Sequence, residues 1–544
     1  MKKIIFIADY FIEHVVGGGE LNNEECIRIL TKKGYHIKKI QSRFITLNFL
    51  ESHKDNFIIL SNFVEMPLDC REALVDLDYI IYEHDHKYLK SRNPATYTNF
   101  KAPDNEIINY SLYKNAIAVL CQSKFHKEIV QKNLNIDNII NLGGNLWSEE
   151  SLGTIEQNLE IEKRDCCSVM QSNIPHKNTA EAVKYCNYKN IKYELIADSN
   201  YKEFLRKLGS NSKFMFLPQT PETLSRVVVE ARMMGCSILT NNLVGAASEE
   251  WFKLKGKPLI DFMTKKRGEI IQVIEDLYNC SPPPKKHPLV SMITTFHEGE
   301  QYLENFLHNI TTQTIFDKCE LILIDAASPG KEKEIVEKYT KKYKNIIYKR
   351  LDSKEKITPC LNVGAQLSNG KYITFSFIDD IKRKDCVEIL LKNILANPSV
   401  DLVYGDVLQT TVPNETFENN SSDGVLFDHS RYEFSKENMI KCLPGPMPLW
   451  KRSMHDRCGF FDTDSDYSDD WEMWLRSVRM GCKFKKVNEI VGLYYAGGRS
   501  FQTEAVSQRQ RREEAELFYK YSELFGNNFN KFKPYFDQFL GAPQ

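Results

Sequence analysis

"GKYITFSFIDDIKRKD" spans Gly370–Asp385. Its apolar run, Ile373 to Ile378, reads as a buried strand that stops in two adjacent carboxylates, Asp379 and Asp380. Paired acids at such a place either end the strand in solvent or hold a metal ion at the edge of a sheet. The surroundings bear on the choice. Val290–Thr295, Glu320–Ile324, Ile346–Arg350, Tyr372–Ile378 and Asp401–Tyr404 are strand candidates, separated by longer amphipathic stretches. Strands alternating with helical patterns predict a parallel α/β sheet. Ligands of such sheets bind beyond the carboxyl ends of the strands. Asp379 and Asp380 therefore point toward a crevice, together with "TTFHEGEQYLE" after the first strand and "IDAASPG" after the second.

Moving outward, "SPPPKKHP", Ser281 to Pro288, punctuates the chain. Three successive prolines cannot continue a helix or a central strand. A second α/β pattern precedes it, with strand candidates Ile4–Ala8, Phe57–Leu60, Tyr79–Tyr82, Ala116–Cys121, Tyr193–Ala197, Phe214–Leu217 and Ser237–Thr240. The Gly/Asn-rich turn "NLGGNLW" and the polar stretch after it divide this half near residue 155 into two doubly wound lobes. The expected organisation is 1–280 (lobes 1–155 and 156–280), a linker at 281–288, a second domain at 289–500 and a helical tail at 501–544.

Composition narrows the function classes. The chain has 544 residues, more than one hydrophobic core serves. Lys+Arg (72) and Asp+Glu (73) nearly cancel, so no global charge draws it to nucleic acid or an anionic membrane. The 14 cysteines form no CxxC pair and read as free thiols in a reducing compartment. The opening apolar run, Ile4 to Ala8, is too short for a signal peptide, and no stretch reaches the ~20 apolar residues of a membrane span. A cytoplasmic protein is expected, with peripheral contact to the inner face of a membrane left open by the aromatic tail, Phe518 to Leu540.

Late in the chain, "SDDWEMWLR" places Asp469 and Asp470 at the start of a helix-like run. Acids are favoured electrostatically in a first helical turn, which is their plain reading. Trp471 and Trp474 share one face of that helix and suit a core. His297 and His455 stand alone and read as structural rather than as metal ligands.

Taken in order, "VSMITTFHEGEQYLENFLHNITTQT", "ELILIDAASPG", "LNVGAQLSNGKYITFSFIDD" and "MPLWKRSMHDRCGFFDTDSDYSDDWEMWLRSVRMGCKF" resemble the inverting glycosyltransferase family 2 of the GT-A fold, over about residues 288–500. The resemblance implies a nucleotide-sugar donor whose diphosphate is neutralised by Mn²⁺ or Mg²⁺ on carboxylate oxygens. It implies a separate carboxylate that deprotonates the acceptor hydroxyl. By that analogy Thr295 and Asp325 contact the nucleoside, Asp379 and Asp380 form the metal site, and Asp470 is the base, with Asp469 as the alternative. Two positions depart from the pattern. Phe377 stands where D-x-D-D has its first acid, and Leu361 where an arginine is common, leaving Lys354 or Lys356 for the phosphates.

In the first half, "GGGE" (Gly17 to Glu20) follows the first strand, where glycines allow close backbone approach and a helix N-terminus faces a phosphate. "LPQTPETLSRVVVEARMMGCSILTNNLVGA" reads as a strand, a Pro-containing loop and a helix starting near Thr223, with Glu222 and Glu230 eight residues apart. With "YEHDHKYL" and "NIPHKN", this resembles the E-x7-E pattern of retaining glycosyltransferase family 4, of the GT-B fold. The resemblance implies Gly18, Gly19, His84 and Lys177 around the donor, Glu222 on its sugar, Glu230 on its ribose, and no metal. Ser172 and Gln171 stand where that family has an arginine. A dinucleotide-dependent oxidoreductase is the rival class, but G-x-G-x-x-G is missing. The expectation is a GT-B-like pair of lobes followed by a GT-A domain. Such a bifunctional enzyme would extend a glycan or glycolipid acceptor, as in surface polysaccharide. The alternative is one active domain beside a binding module.

Overall fold

The computed structural model describes residues 3–280, 287–497 and 504–540. Most of the expected linker, residues 281–286, lies outside them. Two compact units form: Met1–Ala102 with Asn109–Lys285, and Pro103–Ile108 with Lys286–Gln544.

The first unit holds two parallel sheets. One runs β2-β1-β3-β4-β5-β6, from β1 (Lys3–Ala8), β2 (His36–Gln41), β3 (Phe57–Leu60), β4 (Tyr79–Tyr82), β5 (Val119–Cys121) and β6 (Ile139–Asn141). The central strands, "FIIL" and "YIIY", are buried on both faces, as continuous apolar runs in a helix-covered parallel sheet must be. The other sheet runs β10-β9-β7-β8, from β7 (Arg164–Met170), β8 (Tyr193–Ile196), β9 (Asn211–Phe216) and β10 (Ser237–Thr240). The helix Glu149–Leu159 packs with Trp147 into the core of this second lobe, so the lobes change over near residue 147 rather than 155. The helix Lys257–Asn279 serves both lobes. Leu259, Ile260 and Met263 enter the second core, and Ile270, Ile271 and Ile274 the first.

The second unit is built on one eight-stranded sheet, ordered β13-β12-β11-β14-β17-β16-β18-β15. Its strands are β11 (Val290–Phe296), β12 (Cys319–Asp325), β13 (Ile346–Arg350), β14 (Tyr372–Phe375), β15 (Ile381–Lys382), β16 (Leu402–Thr410), β17 (Leu449–Lys451) and β18 (Phe484–Tyr495). β13, β12, β11 and β14 are parallel, as expected. The rest is mixed: β17 runs antiparallel to both β14 and β16. The strand expected to reach Ile378 stops at Phe375, because the chain turns there and Asp380 N–H bonds Phe377 O at 3.3 Å. Asp379 and Asp380 thus lie in a turn between β14 and β15. The core of the sheet gathers Met292, Leu321, Leu323, Val403 and Leu449. No helix among the described residues is long and apolar enough to cross a membrane.

Candidate active site

The helix Asp469–Arg479 opens on its acid pair and buries Trp471, Met473, Trp474, Leu475 and Val478. Trp474 packs against Phe375, Trp450, Phe461 and Phe484, so it belongs to the core. Trp471 donates its indole N–H to Met439 O at 2.8 Å. This packing fixes the helix with its acidic head toward a cavity of about 610 Å³. Asp470, Phe377, Cys442, Trp471 and Tyr494 line that cavity.

Asp470 is held on both oxygens. Trp471 N–H donates to Oδ1 at 2.7 Å, and the Cys442 thiol donates to Oδ2 at 3.3 Å. Asp469 Oδ2 accepts from the Thr358 hydroxyl at 2.7 Å. Burial raises the pKa of both carboxyls. For Asp469, burial and then the charge of Asp470 push it to about 7. In the turn after β14, Asp379 is partly exposed and Asp380 is buried, with Tyr495 N–H donating to Asp380 Oδ1 at 3.1 Å. Burial raises Asp379, and burial followed by the charge of Asp379 raises Asp380 well above the carboxylate range. Tyr494 ties the two pairs together. Its phenol is pushed up to about 12 by burial and then by the charges of Asp380, Asp379 and Asp470. Lys382, also buried beside Asp380, has its ammonium pulled down by burial. Nothing local in the sequence marks Lys382, since a lysine after a strand normally faces water.

Residues 291–461 match the family model described as Glycosyl transferase family 2. The second unit carries a glycosyltransferase family 2 domain. The chain is a glycosyltransferase. It is 25% identical over 208 residues to an uncharacterized glycosyltransferase of Methanocaldococcus jannaschii, covering 38% of this chain and 70% of that protein. It is 31% identical over 102 residues to the minor teichoic acid biosynthesis protein GgaB of Bacillus subtilis, covering 19% of this chain and 11% of that one. Among solved structures, S. aureus TarS residues 1–349 in complex with UDP aligns over 45% of this chain and 71% of that one, with a TM-score of 0.36 at 14% identity.

Within the family 2 domain, the residues expected at the nucleoside sit apart from the acid pairs in their bonding. Thr295 is nearly buried near the end of β11. Asp325 is fully buried and engaged by the protein itself. Arg350 donates to Oδ2 at 2.7 Å, the Tyr348 hydroxyl to the same oxygen at 2.6 Å, and Ser328 N–H to Oδ1 at 2.7 Å. As it stands, Asp325 braces the loop after β12 rather than offering a free carboxylate to a base. Lys356 pairs with Asp466, in the segment leading to the acid pair, rather than standing free for a phosphate. His455 is a core residue that accepts from the Trp450 indole at 3.1 Å, and burial drops its pKa to about 3. His297 bonds Ala326 O at 2.8 Å.

The first unit of the glycosyltransferase brings several of its expected residues together between the two lobes. The helix Gly18–Lys32 begins at the glycines. A Cβ on Gly18 would stand 3.2 Å from Arg226 Cδ, so this glycine makes room for a protein side chain. Gly19 faces the His84 ring. His84 bonds Asn23 Oδ1 at 2.8 Å and also the Gln122 amide, and burial drops its pKa to about 3, so the ring is neutral. Lys177 pairs with Glu222 at 2.7 Å, with Lys177 25% and Glu222 15% exposed. Glu222 does not open a helix: the helix is Arg226–Met233, and Glu222 lies in a loop held by its N–H on Leu243 O.

Glu230, the residue expected on a ribose, is engaged within the protein: its Oε1 accepts from the Trp147 indole at 2.9 Å and the Tyr201 hydroxyl at 2.6 Å. Arg226 lies 3.6 Å from the same oxygen and stacks over Trp147. A buried carboxylate requires such partners, and here the protein supplies them. Arg226 itself escaped the sequence reading, because its buried partners Trp147 and Leu146 O lie about 80 residues earlier in the chain.

Proposed function

We propose that the family 2 domain transfers a glycosyl group, with inversion, from a nucleotide-diphosphate sugar to a hydroxyl of a growing glycan, such as a surface polysaccharide. The observation that carries this reading is Asp470 at the wall of the cavity, with Asp469 behind it and Asp379 and Asp380 across Tyr494. Asp470 takes the acceptor proton as the acceptor oxygen bonds the anomeric carbon. The bond from that carbon to the diphosphate oxygen breaks on the opposite side, and its electron pair leaves with the nucleoside diphosphate. Asp469 keeps the pair's basicity high, because two crowded carboxylates resist losing both protons.

A divalent cation fits the other pair. Asp379 with Asp380 would hold it through oxygen, and it would neutralise the diphosphate. The described residues contain no group of three or more His, Cys, Asp or Glu side chains placed to hold a metal. The remaining ligands would therefore come from the donor, consistent with Phe377 in place of an acid. The test is release of nucleoside diphosphate from UDP-, GDP- and dTDP-sugars with Mn²⁺ and sugar acceptors. Asp470→Asn should lower kcat by about 10²–10⁴-fold, the usual contribution of a general base, with donor binding retained. Unchanged turnover in that variant would exclude Asp470 as the base.

For the first unit, the pairing of Lys177 with Glu222 supports a second reading. The unit binds another nucleotide sugar between its GT-B-like lobes and acts as a metal-independent, retaining transferase. Lys177 is partly exposed and, among the described residues, pairs with the one carboxylate of Glu222, so an incoming diphosphate can replace that partner. Titration of the Asp470→Asn protein with UDP and GDP checks this: Lys177→Ala should abolish any binding that survives chelation. A product that depends on Glu222 separates a transferase from a binding module.

A further inference from the structure

Glu513, on the helix Glu504–Lys520, spends its carboxylate on the segment that leads into the acid pair. Asp466 N–H donates to it at 3.0 Å, Tyr467 N–H at 3.2 and 3.3 Å, and Ser468 N–H at 2.8 Å, and the Ser465 hydroxyl donates as well. Successive N–H groups converging on one point form an anion-binding concavity. Here the anion is a side chain of the same protein. Ser468, at the N-cap position of the helix Glu513 serves, makes no side-chain bond to that helix, and its hydroxyl is buried without a partner among the described residues. The head of the catalytic helix is thus held from 45 residues downstream. Gln510 and Glu514, on the same tail helix, line the cavity beside Asp470, as do Phe532, Tyr535 and Phe536 of the last helix, Asn527–Leu540.

We infer that Glu513 is a positioning residue for the Asp469–Asp470 pair, which makes the tail helix part of the transferase site. By fixing residues 465–468, it sets the direction in which Asp470 enters the cavity. The inference rests on the reading of Asp470 as base. Without the carboxylate, three N–H groups turn to water and the helix head is free to shift. A displacement of about 1 Å at a reacting group costs on the order of 10² in rate.

The experiment uses the full chain, with nucleoside-diphosphate release from the UDP-, GDP- and dTDP-sugar panel. Glu513→Ala should lower kcat by about 10–100-fold with donor KM within about twofold, because only the acceptor-activating group moves. Glu513→Gln, which keeps one acceptor oxygen, should fall between Ala and wild type. Glu516→Ala is the control. It breaks the Arg512–Glu516 pair, both residues of which lie on the tail helix, without touching the catalytic helix or residues 465–468, and it should keep kcat. If Glu513→Ala loses no more than this control, the inference fails. If the alanine variant does not fold, an unchanged kcat in Glu513→Gln overturns it. Amide exchange of residues 466–470 is read without substrate. It should quicken in Glu513→Gln, and unchanged exchange overturns the positioning role. Quickened exchange in a chain that releases no nucleoside diphosphate from any sugar would instead sink the proposed function alone.

Discussion

Asp469 and Asp470 differ by one position in sequence and by a role in the fold. Asp470 faces the cavity, whereas Asp469 bonds Thr358 and carries the raised pKa of about 7. This sets a pH dependence. The base must be ionised, and burial raises Asp470 above the usual carboxylate range, so kcat should climb with pH toward a plateau. Asp469→Asn removes the like-charged neighbour and should move that limb to lower pH, as a pH–kcat profile would show. The same group affects stability. Its unfolded pKa is near 3.9, so between about pH 4 and 7 the folded state binds the proton that the unfolded chain has released. Stability is therefore fully present below pH 4 and falls as pH rises through 7, by on the order of 2–4 kcal/mol. Asp469→Asn should melt like wild type at pH 4 and at a higher temperature at pH 8. An equal or lower melting temperature at pH 8 would contradict the raised pKa. The acid pair was legible in sequence because it stands at a helix start before an aromatic stripe. The bracing of Asp325 was not, because the residues that close over it, Tyr348 and Arg350, come from the next strand and look like ordinary edge positions.

At the scale of elements, legibility followed burial. β1, β3, β4, β11 and β12 are buried almost throughout and carry a continuous apolar stretch, and the expected spans match them nearly to the residue. β2 reads "HIKKIQ" and β7 opens on Arg164 and Asp165, and both were missed because partly exposed strands carry charge. β18 was missed for the same reason, since "FKKVNEIVGLYY" breaks its apolar run with Lys485, Lys486 and Glu489. The tail helix gives an equally physical lesson. "SQRQRREEAELF" looks solvated along its length, and only the fold shows Glu513 turned onto a distant loop. The helix Lys257–Asn279 makes an element-scale prediction. Its two ends feed two different cores, so loosening one end should destabilise the unit as a whole. Ile271 is fully buried in the first core. Ile271→Ala should cost about 2–5 kcal/mol, read by urea denaturation, and a matched loss from Met263→Ala would show that the lobes unfold together.

The chain carries two α/β units, and on the proposed reading each would meet the diphosphate of a sugar nucleotide by a different means. The second unit offers carboxylates, which bind a phosphate only through a cation. In the same reading, the first unit would use Lys177 and the glycine-started helix Gly18–Lys32, groups that meet phosphate without a metal. Chelation therefore separates the two. EDTA should abolish transfer that depends on Asp470 and leave untouched any nucleotide binding that depends on Lys177. Added Mn²⁺ should restore only the first. The variants should divide in the same way. Asp379→Asn should mimic chelation, weakening donor use by the family 2 domain, while Lys177→Ala should leave that transfer intact. Product analysis by mass spectrometry, with each variant supplied the same donors and acceptor, reads out both. Loss of both activities on chelation would mean that the first unit also meets its diphosphate through a metal. Survival of Asp470-dependent transfer in EDTA would assign the diphosphate of the family 2 domain to protein cations instead, with buried Lys382 beside Asp380 as the nearest candidate.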